Sequence, residues 1–216
     1  MKKILIPTSG PNDWRNLLAD PDKQWQRGRS AMAGALAWEA SKGLPKEISK
    51  LFAERPSLLL AVPEHKVTLP GDKRETPVDI LALLRDRDQT IAAAIEVKAD
   101  EGFGPKVGEW VKDDAERVER IAATTALLGL GTPPADLRLQ LLQRAAAAAL
   151  EASRFKTDAA GLFIQSFSAA HKGYADFAAF VTFLGMQPAR GKMFSHTLPD
   201  GRPLLIGWTT GALEYV

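Results

Sequence analysis

The chain has 216 residues, with 28 Lys plus Arg against 26 Asp plus Glu, three His, five Trp and no Cys. Its 45% apolar and 25% charged fractions are those of one folded domain able to bury a core, which excludes disordered and fibrous classes. Without Cys there is no disulfide framework, thiol catalysis, iron–sulfur cluster or Cys-based zinc site, and His65, His171 and His196 are too dispersed for a His-rich metal site.

A net charge of +2 does not by itself announce a nucleic-acid binder. The small excess lies early: residues 1–112 carry 18 basic and 16 acidic side chains, the remainder 10 of each. Met1-Lys2-Lys3 is followed only by Ile4-Leu5-Ile6 before Pro7, too short an apolar stretch for a signal peptide. No run of about 18 apolar residues occurs, so the expectation is a cytoplasmic protein with no membrane partner.

Residues 1–29 read as an N-terminal arm. Within it, Lys23 to Arg29 (KQWQRGR) sets three cations around Trp25, downstream of Trp14 and Arg15. Two readings are open: a segment that grips phosphates and stacks a base, or a surface arm whose Trp side chains cap the core. Ser30–Ser41 (SAMAGALAWEAS) predicts an Ala-rich helix with Ser30 as N-cap and Gly43 and Pro45 beyond its end. Leu58–Val62 predicts a buried strand stopped by Pro63, and Pro77–Leu84 and Ile91–Ala99 predict two more. Gly102–Gly108 is loop-like; Asp113–Leu128 is periodic for a helix; Pro133 and Pro134 open a longer helix running to about Phe155, its Ala run suited to close packing on a sheet. Gly161–Phe167 predicts a strand, Tyr174–Leu184 an amphipathic helix, and the tail a hairpin turning at Pro199–Arg202. The expected fold is a mixed α/β domain with helices on the sheet faces, with a core at about 30–167 and a C-terminal helix and hairpin at 168–216.

Two glycine-rich stretches fail as nucleotide sites. Gly185–Lys192 has five residues between its glycines where a phosphate loop needs four, and Met193 stands where Ser or Thr should bind magnesium. Gly102, Gly104 and Gly108 place the third glycine one position late for a dinucleotide fingerprint. No nucleotide cofactor is expected.

The informative constellation lies in the two central strands. The short polar turn at Arg87-Asp88 makes them an antiparallel hairpin in which opposed residue numbers sum to about 175, setting Asp79 opposite Glu96 at a Cβ separation of about 4.5–5.5 Å. Lys98 returns to the same face as Glu96 by the period of two. The remaining positions on both faces are apolar, so two carboxylates and an ammonium end a hairpin that is covered on both sides. That is costly unless they pair or bind a metal. The Asp/Glu-x-Lys triplet occurs twice, about as often as composition alone yields. Glu64-His65-Lys66 is set aside because Pro63 interrupts its strand and no acidic strand precedes it; Glu96-Val97-Lys98 has the acidic partner strand and the apolar flanks. A carboxylate–Lys ion pair plugging the end of a sheet is the purely structural alternative.

Pro77-Val78-Asp79 with Glu96-Val97-Lys98, on a helix–three strands–helix–strand order from Ser30 to Phe167, resembles the PD-(D/E)XK nuclease superfamily. The resemblance implies a restriction-endonuclease-like αβββαβ core, interrupted here by the helical segment 113–128. It implies Mg²⁺, with Mn²⁺ as a substitute, held by Asp79, Glu96 and the backbone carbonyl of Val97. Lys98 would orient or help deprotonate water attacking a DNA phosphodiester. Some branches add a Glu from the first core helix, which makes Glu39 a candidate third ligand; a solvent-facing Glu39 is the alternative. Lys106, Glu109, Gln143 and Arg144 read as surface residues that could instead contact substrate. A catalytically idle nuclease-fold protein that binds nucleic acid or protein is the competing function, and an unrelated α/β protein with an ion pair at 79, 96 and 98 is a third. Assembly is open, a homodimer among the options.

Overall fold

The computed structural model describes residues 8–216; the expectations attached to Met1–Pro7 lie outside it. Two 3₁₀ turns, Pro11–Leu17 and Leu213–Tyr215, flank seven helices and six strands. In chain order these are α1 (Pro21–Gln24), α2 (Ser30–Ser41), α3 (Lys46–Ser49), β1 (Ser57–Val67), β2 (Thr76–Asp86), β3 (Gln89–Lys98), α4 (Val107–Val111), α5 (Ala115–Leu127), α6 (Leu139–Phe155), β4 (Ala159–Ser166), α7 (Tyr174–Phe183), β5 (Met193–Thr197) and β6 (Pro203–Thr210). The strands form one six-stranded open mixed sheet in the order β1-β2-β3-β4-β6-β5. The chain is therefore α/β with helices on both faces of the sheet. Among the described residues, no helix is long and apolar enough to cross a membrane.

β1, β2 and β3 form an antiparallel meander, and α4, α5 and α6 cross back to set β4 parallel to β3. β6 then joins β4 in parallel and closes an antiparallel hairpin with β5, so the C-terminal hairpin extends the central sheet. The β2–β3 register pairs Ile80 with Ile95, Leu84 with Ile91 and Asp86 with Gln89, the sum of 175 that the short turn dictates. Even-numbered Ile80, Ala82 and Leu84 with odd-numbered Ile91, Ala93, Ile95 and Val97 face the α2–α3 side. Ala92 and Ala94 face α6 together with Leu162, Ile164 and Ile206.

The helices sit close because their sheet-facing residues are small. Ala145–Ala149 and Ala152 of α6 are all buried in the cluster that holds Ala92, Ala94 and Ala160. On the other face, a Cβ added to Gly34 of α2 would lie 3.1 Å from Val97 Cγ2, so the helix axis passes directly over the end of β3.

Two boundaries differ from the sequence expectation. β1 runs through Pro63 to Val67, with Pro63 opposite Ile80. As an edge strand it has N–H groups that point away from its single partner, and a proline there removes no ladder bond. α6 starts at Leu139 instead of at Pro133, because the backbone before it is engaged elsewhere: Val107 N–H donates to Leu137 O and Gly108 N–H to Ala135 O, both at 2.8 Å.

A Gly34→Leu substitution should force α2 off β3. Overpacking of this kind costs about 1–3 kcal/mol, and thermal denaturation should read a drop of several degrees in Tm.

Candidate active site

The site is built where two neighbouring strands break their alternation at the same level. On β1, Ala61 belongs to the α2-side core while Val67, of the same parity, belongs to the α6-side core. Between them Glu64 has φ of +50°, a left-handed conformation that is rare outside Gly, Asn and Asp and costly for Glu. On β2, Val78 is on the α6 side although Ile80 is on the α2 side. Between these two stands Asp79. There the β2–β3 ladder has ended at Ile80–Ile95, and the Asp79 carboxylate replaces a backbone acceptor: Val97 N–H donates to Asp79 Oδ2 at 2.7 Å. Both irregularities turn an acidic side chain into one cavity of about 270 Å³, which also holds Glu96, Lys98, Gln140 and Arg144.

Glu96 is the centre of the cavity, 1% exposed. Its Oε1 lies 2.6 Å from Lys98 Nζ and accepts from Gln140 Nε2 at 2.7 Å, and its Oε2 accepts from Arg144 Nε at 2.5 Å. Lys98 Nζ also donates to Gln140 Oε1 at 3.0 Å and stands 5.0 Å over the Phe103 ring. One carboxylate thus holds two buried cations, Lys98 being 6% and Arg144 5% exposed. Burial pushes the Glu96 carboxyl up, but the Arg144 and Lys98 charges and their hydrogen bonds outweigh it and hold it below the usual range. The same attraction, from Glu96 and then Asp79, overcomes burial to keep Lys98 and Arg144 firmly protonated.

The other two carboxyls behave oppositely. Burial first, then the neighbouring Glu96 charge, lifts Asp79 to about 7. Burial, then Asp79 and Glu96, lifts Glu64 to about 8. Around neutral pH the cavity therefore holds an ionised Glu96, two cations, an Asp79 near its midpoint and a mostly protonated Glu64.

The structure brings Asp79, Glu96 and Lys98 together: all three line this cavity, as does Val97. Glu39 requires correction. It lies eight residues beyond Ala31, the nearer of the two α2 residues, Ser30 and Ala31, that line the cavity, which is about 12 Å along a helix. Its Oε1 accepts from Thr8 Oγ1 at 2.6 Å and from the Trp14 indole N–H at 2.9 Å. Trp14, 4% exposed, forms part of the cavity wall, so Glu39 anchors the wall from behind and is not among the residues that line the cavity. The dismissal of Glu64-His65-Lys66 also fails for Glu64, because the strand continues through Pro63. His65 is held instead against α6, its Nε2 3.2 Å from Glu151 Oε2. Arg144 is a core site residue and not a surface one. Lys106 and Glu109 stay apart from the cavity, where Glu109 Oε2 caps α4 by accepting from Lys106 N–H at 2.8 Å. Of the early cations, Lys23 and Arg29 line the depression next to the cavity, whereas Lys73 pairs with Glu116 at 3.3 Å.

The donor set is oxygen only, which suits a hard divalent cation. Among the described residues no three His, Cys, Asp or Glu side chains group as a complete ligand set. An ion here would take Asp79, Glu96 and the Val97 carbonyl, with water in its remaining positions, the coordination Mg²⁺ prefers.

A family model described as domain of unknown function (DUF6946) matches residues 7–213. The chain belongs to this family. Comparison with curated proteins and with solved structures gives no match. For this DUF6946 chain the argument about function thus rests on the cavity itself.

Two predictions test the geometry. Asp79 and Glu64 titrate higher in the folded chain than the ordinary carboxyl near pH 4. The folded form therefore binds more protons between about pH 4 and 8, and their contribution to stability is lost as pH rises through that window. Asp79→Asn and Glu64→Gln should each raise Tm at pH 9 without raising it at pH 4, as read by circular dichroism melts in EDTA. Glu39→Ala strands the Trp14 indole N–H at a cost of about 1–3 kcal/mol, so Tm should fall by several degrees, while Glu39→Gln retains an acceptor and should melt near the parent.

Proposed function

We propose that the protein is a divalent-metal-dependent nuclease that hydrolyses DNA phosphodiester bonds, built on a restriction-endonuclease-like core spanning α2, the β1–β3 meander, α6 and β4. The observation that carries this reading is the convergence of Asp79, Glu96 and Lys98 in one cavity beyond the apolar middle of the β2–β3 hairpin. An ion pair used only to plug a sheet end does not need a second and third carboxyl held near neutrality beside it, at an energetic cost to the fold. The likeness of Pro77–Asp79 and Glu96–Lys98 to the PD-(D/E)XK motif supports the same reading, as does the helix–strand order around them.

Asp79 and Glu96 would hold Mg²⁺ or Mn²⁺, which supplies Lewis-acid stabilisation of charge on the phosphoryl oxygens. Lys98 remains an ammonium in the resting site, so it orients water and phosphate by donating hydrogen bonds and is not the proton acceptor. Gln140 fixes its position by accepting from Nζ while donating to Glu96. Arg144 adds a second fixed positive charge where negative charge develops. Glu64, mostly protonated at rest because it titrates near 8, would become the cavity carboxylate suited to take the proton of the attacking water once an added positive charge had ionised it. Water oxygen would bond to phosphorus as one of its protons passes to ionised Glu64, and the ester P–O bond would break with the leaving oxygen departing as an alkoxide that takes a proton from solvent.

A second reading is favoured by one specific observation. Both Glu96 oxygens are already engaged by protein cations and an amide, the arrangement expected of an idle site in a protein that binds nucleic acid or a protein partner. Incubation with linear, circular and branched DNA in Mg²⁺ or Mn²⁺ separates the two. Cleavage by the parent, lowered at least a hundredfold in Asp79→Ala and in Lys98→Ala, supports the nuclease. Equal cleavage by all three proteins overturns the site, and binding without cleavage supports the idle reading.

A further inference from the structure

The carboxylate cavity does not stand alone. On one side it shares Gln24, Ser30 and Ala31 with a depression of about 430 Å³ whose rim carries Lys23, Gln26 and Arg29. On the other it shares Pro77, Gln140 and Arg144 with a depression of about 360 Å³ that contains Trp110 and Gln143. Through these shared residues the three adjoin one another as a furrow of neighbouring depressions, the central cavity lying between the other two.

Accepting the nuclease-site reading above, we propose that this furrow is the binding track of a single unpaired DNA strand, which enters beside Lys23 and Arg29, bends its backbone down to Glu96 and Lys98, and leaves along Trp110. Three features select a single strand over a duplex. Each depression is near the lower end of the volumes that enclose one small organic molecule, about 300–1,000 Å³, so each suits one nucleoside. The reactive groups lie at the floor of the central cavity, with Glu96 1% and Lys98 6% exposed, and a backbone stiffened by pairing does not bend into such a pit. The two ends also carry complementary chemistry for an unpaired strand: exposed cations for phosphates at one, an aromatic wall for a base at the other.

Outside the central cavity two acidic side chains line the track, Glu101 in the first depression and the exposed Glu75 in the far one. Glu101, in the first depression, is turned inward, its Oε1 accepting from Ser30 N–H at 2.9 Å and its Oε2 from Ala99 N–H at 3.0 Å. Lys23 pairs with Asp20 at 3.0 Å on the surface, a contact weak enough to yield to a phosphate. Trp110 is held by Arg117, whose Nη1 donates to its carbonyl at 2.6 Å, and by the Arg117 and Arg120 guanidiniums 5.3 and 4.8 Å from its ring centre. The far end thus adds a fixed aromatic ring with two cations against it.

The test is a binding measurement, independent of turnover. Fluorescence anisotropy would compare a labelled 12-nucleotide strand with a blunt 12-base-pair duplex of the same sequence, in EDTA and again in Ca²⁺. The parent should bind the strand at least tenfold more tightly. Trp110→Ala should weaken strand binding about tenfold or more, in line with base–aromatic stacking, with an unchanged salt slope, and Trp110→Phe should restore most of it. Lys23→Ala with Arg29→Ala should lower the salt slope by about 1.4, two phosphate contacts of about 0.7 each. Both cations are exposed, so this double variant carries the test even if Trp110→Ala misfolds. Equal or tighter duplex binding, or variants without effect, overturns the proposal. Strand preference without cleavage would retain the track and reject the nuclease, while cleavage without strand preference would do the reverse.

Discussion

Glu96 is a buried carboxylate at the end of a central strand, and the rest of the structure is arranged around keeping it charged. Removing such a group from water costs several kcal/mol, which is recovered only with well-placed partners. Lys98 supplies one from the same strand, and Gln140 and Arg144 supply two more from one face of α6. Those helix partners reach Glu96 only because α6 lies close to β3, which the Ala145–Ala149 run permits. The alanines and the charged cluster are two ends of a single packing solution. Removing Arg144 alone would leave Glu96 paired with Lys98 but strip its buried Oε2 of a partner, a larger loss than deletion of a surface ion pair.

The second constraint is the shared break in β1 and β2. A regular strand at Asp79 would continue the backbone ladder; here the side chain takes the Val97 amide, and the strands are free to open toward the cavity. Glu64 reaches the same cavity through a residue held at positive φ. Strained backbone next to clustered titratable groups is unfavourable for stability and recurs where chemistry requires it. The arrangement separates the three carboxyls by environment: Glu96 is stabilised as an anion, while Asp79 and Glu64 are held near neutrality.

How much of the site was legible depended on how local its geometry is. Asp79, Glu96 and Lys98 lie on one hairpin with a two-residue turn, so register and period of two suffice to bring them together. Gln140 and Arg144 are 44 and 48 residues beyond Glu96, and their approach depends on where α6 starts and which face it presents. An uncompensated carboxylate in an apolar strand was the one signal for them, since it demands a cation from elsewhere. Glu64 was hidden by Pro63, whose strand-breaking tendency is irrelevant on an edge strand. Glu39 was misplaced because being the lone acid on an Ala-rich helix says nothing about which end of that helix meets the sheet opening. Trp14, brought in by tertiary contact, claimed it instead.

The sequence by itself determined the α/β class, the antiparallel pairing of β2 with β3, and the restriction of any metal site to oxygen ligands. These follow from alternation, turn length and the absence of cysteine, all of which act over a few residues or over composition alone. Only the tertiary structure decided that Glu64 and Arg144 belong to the site and Glu39 does not. It alone decided that the C-terminal hairpin completes the sheet, and that two further depressions extend the cavity into a furrow. Those outcomes depend on edge position, helix start and close Ala packing, which set distances between segments that no local pattern encodes.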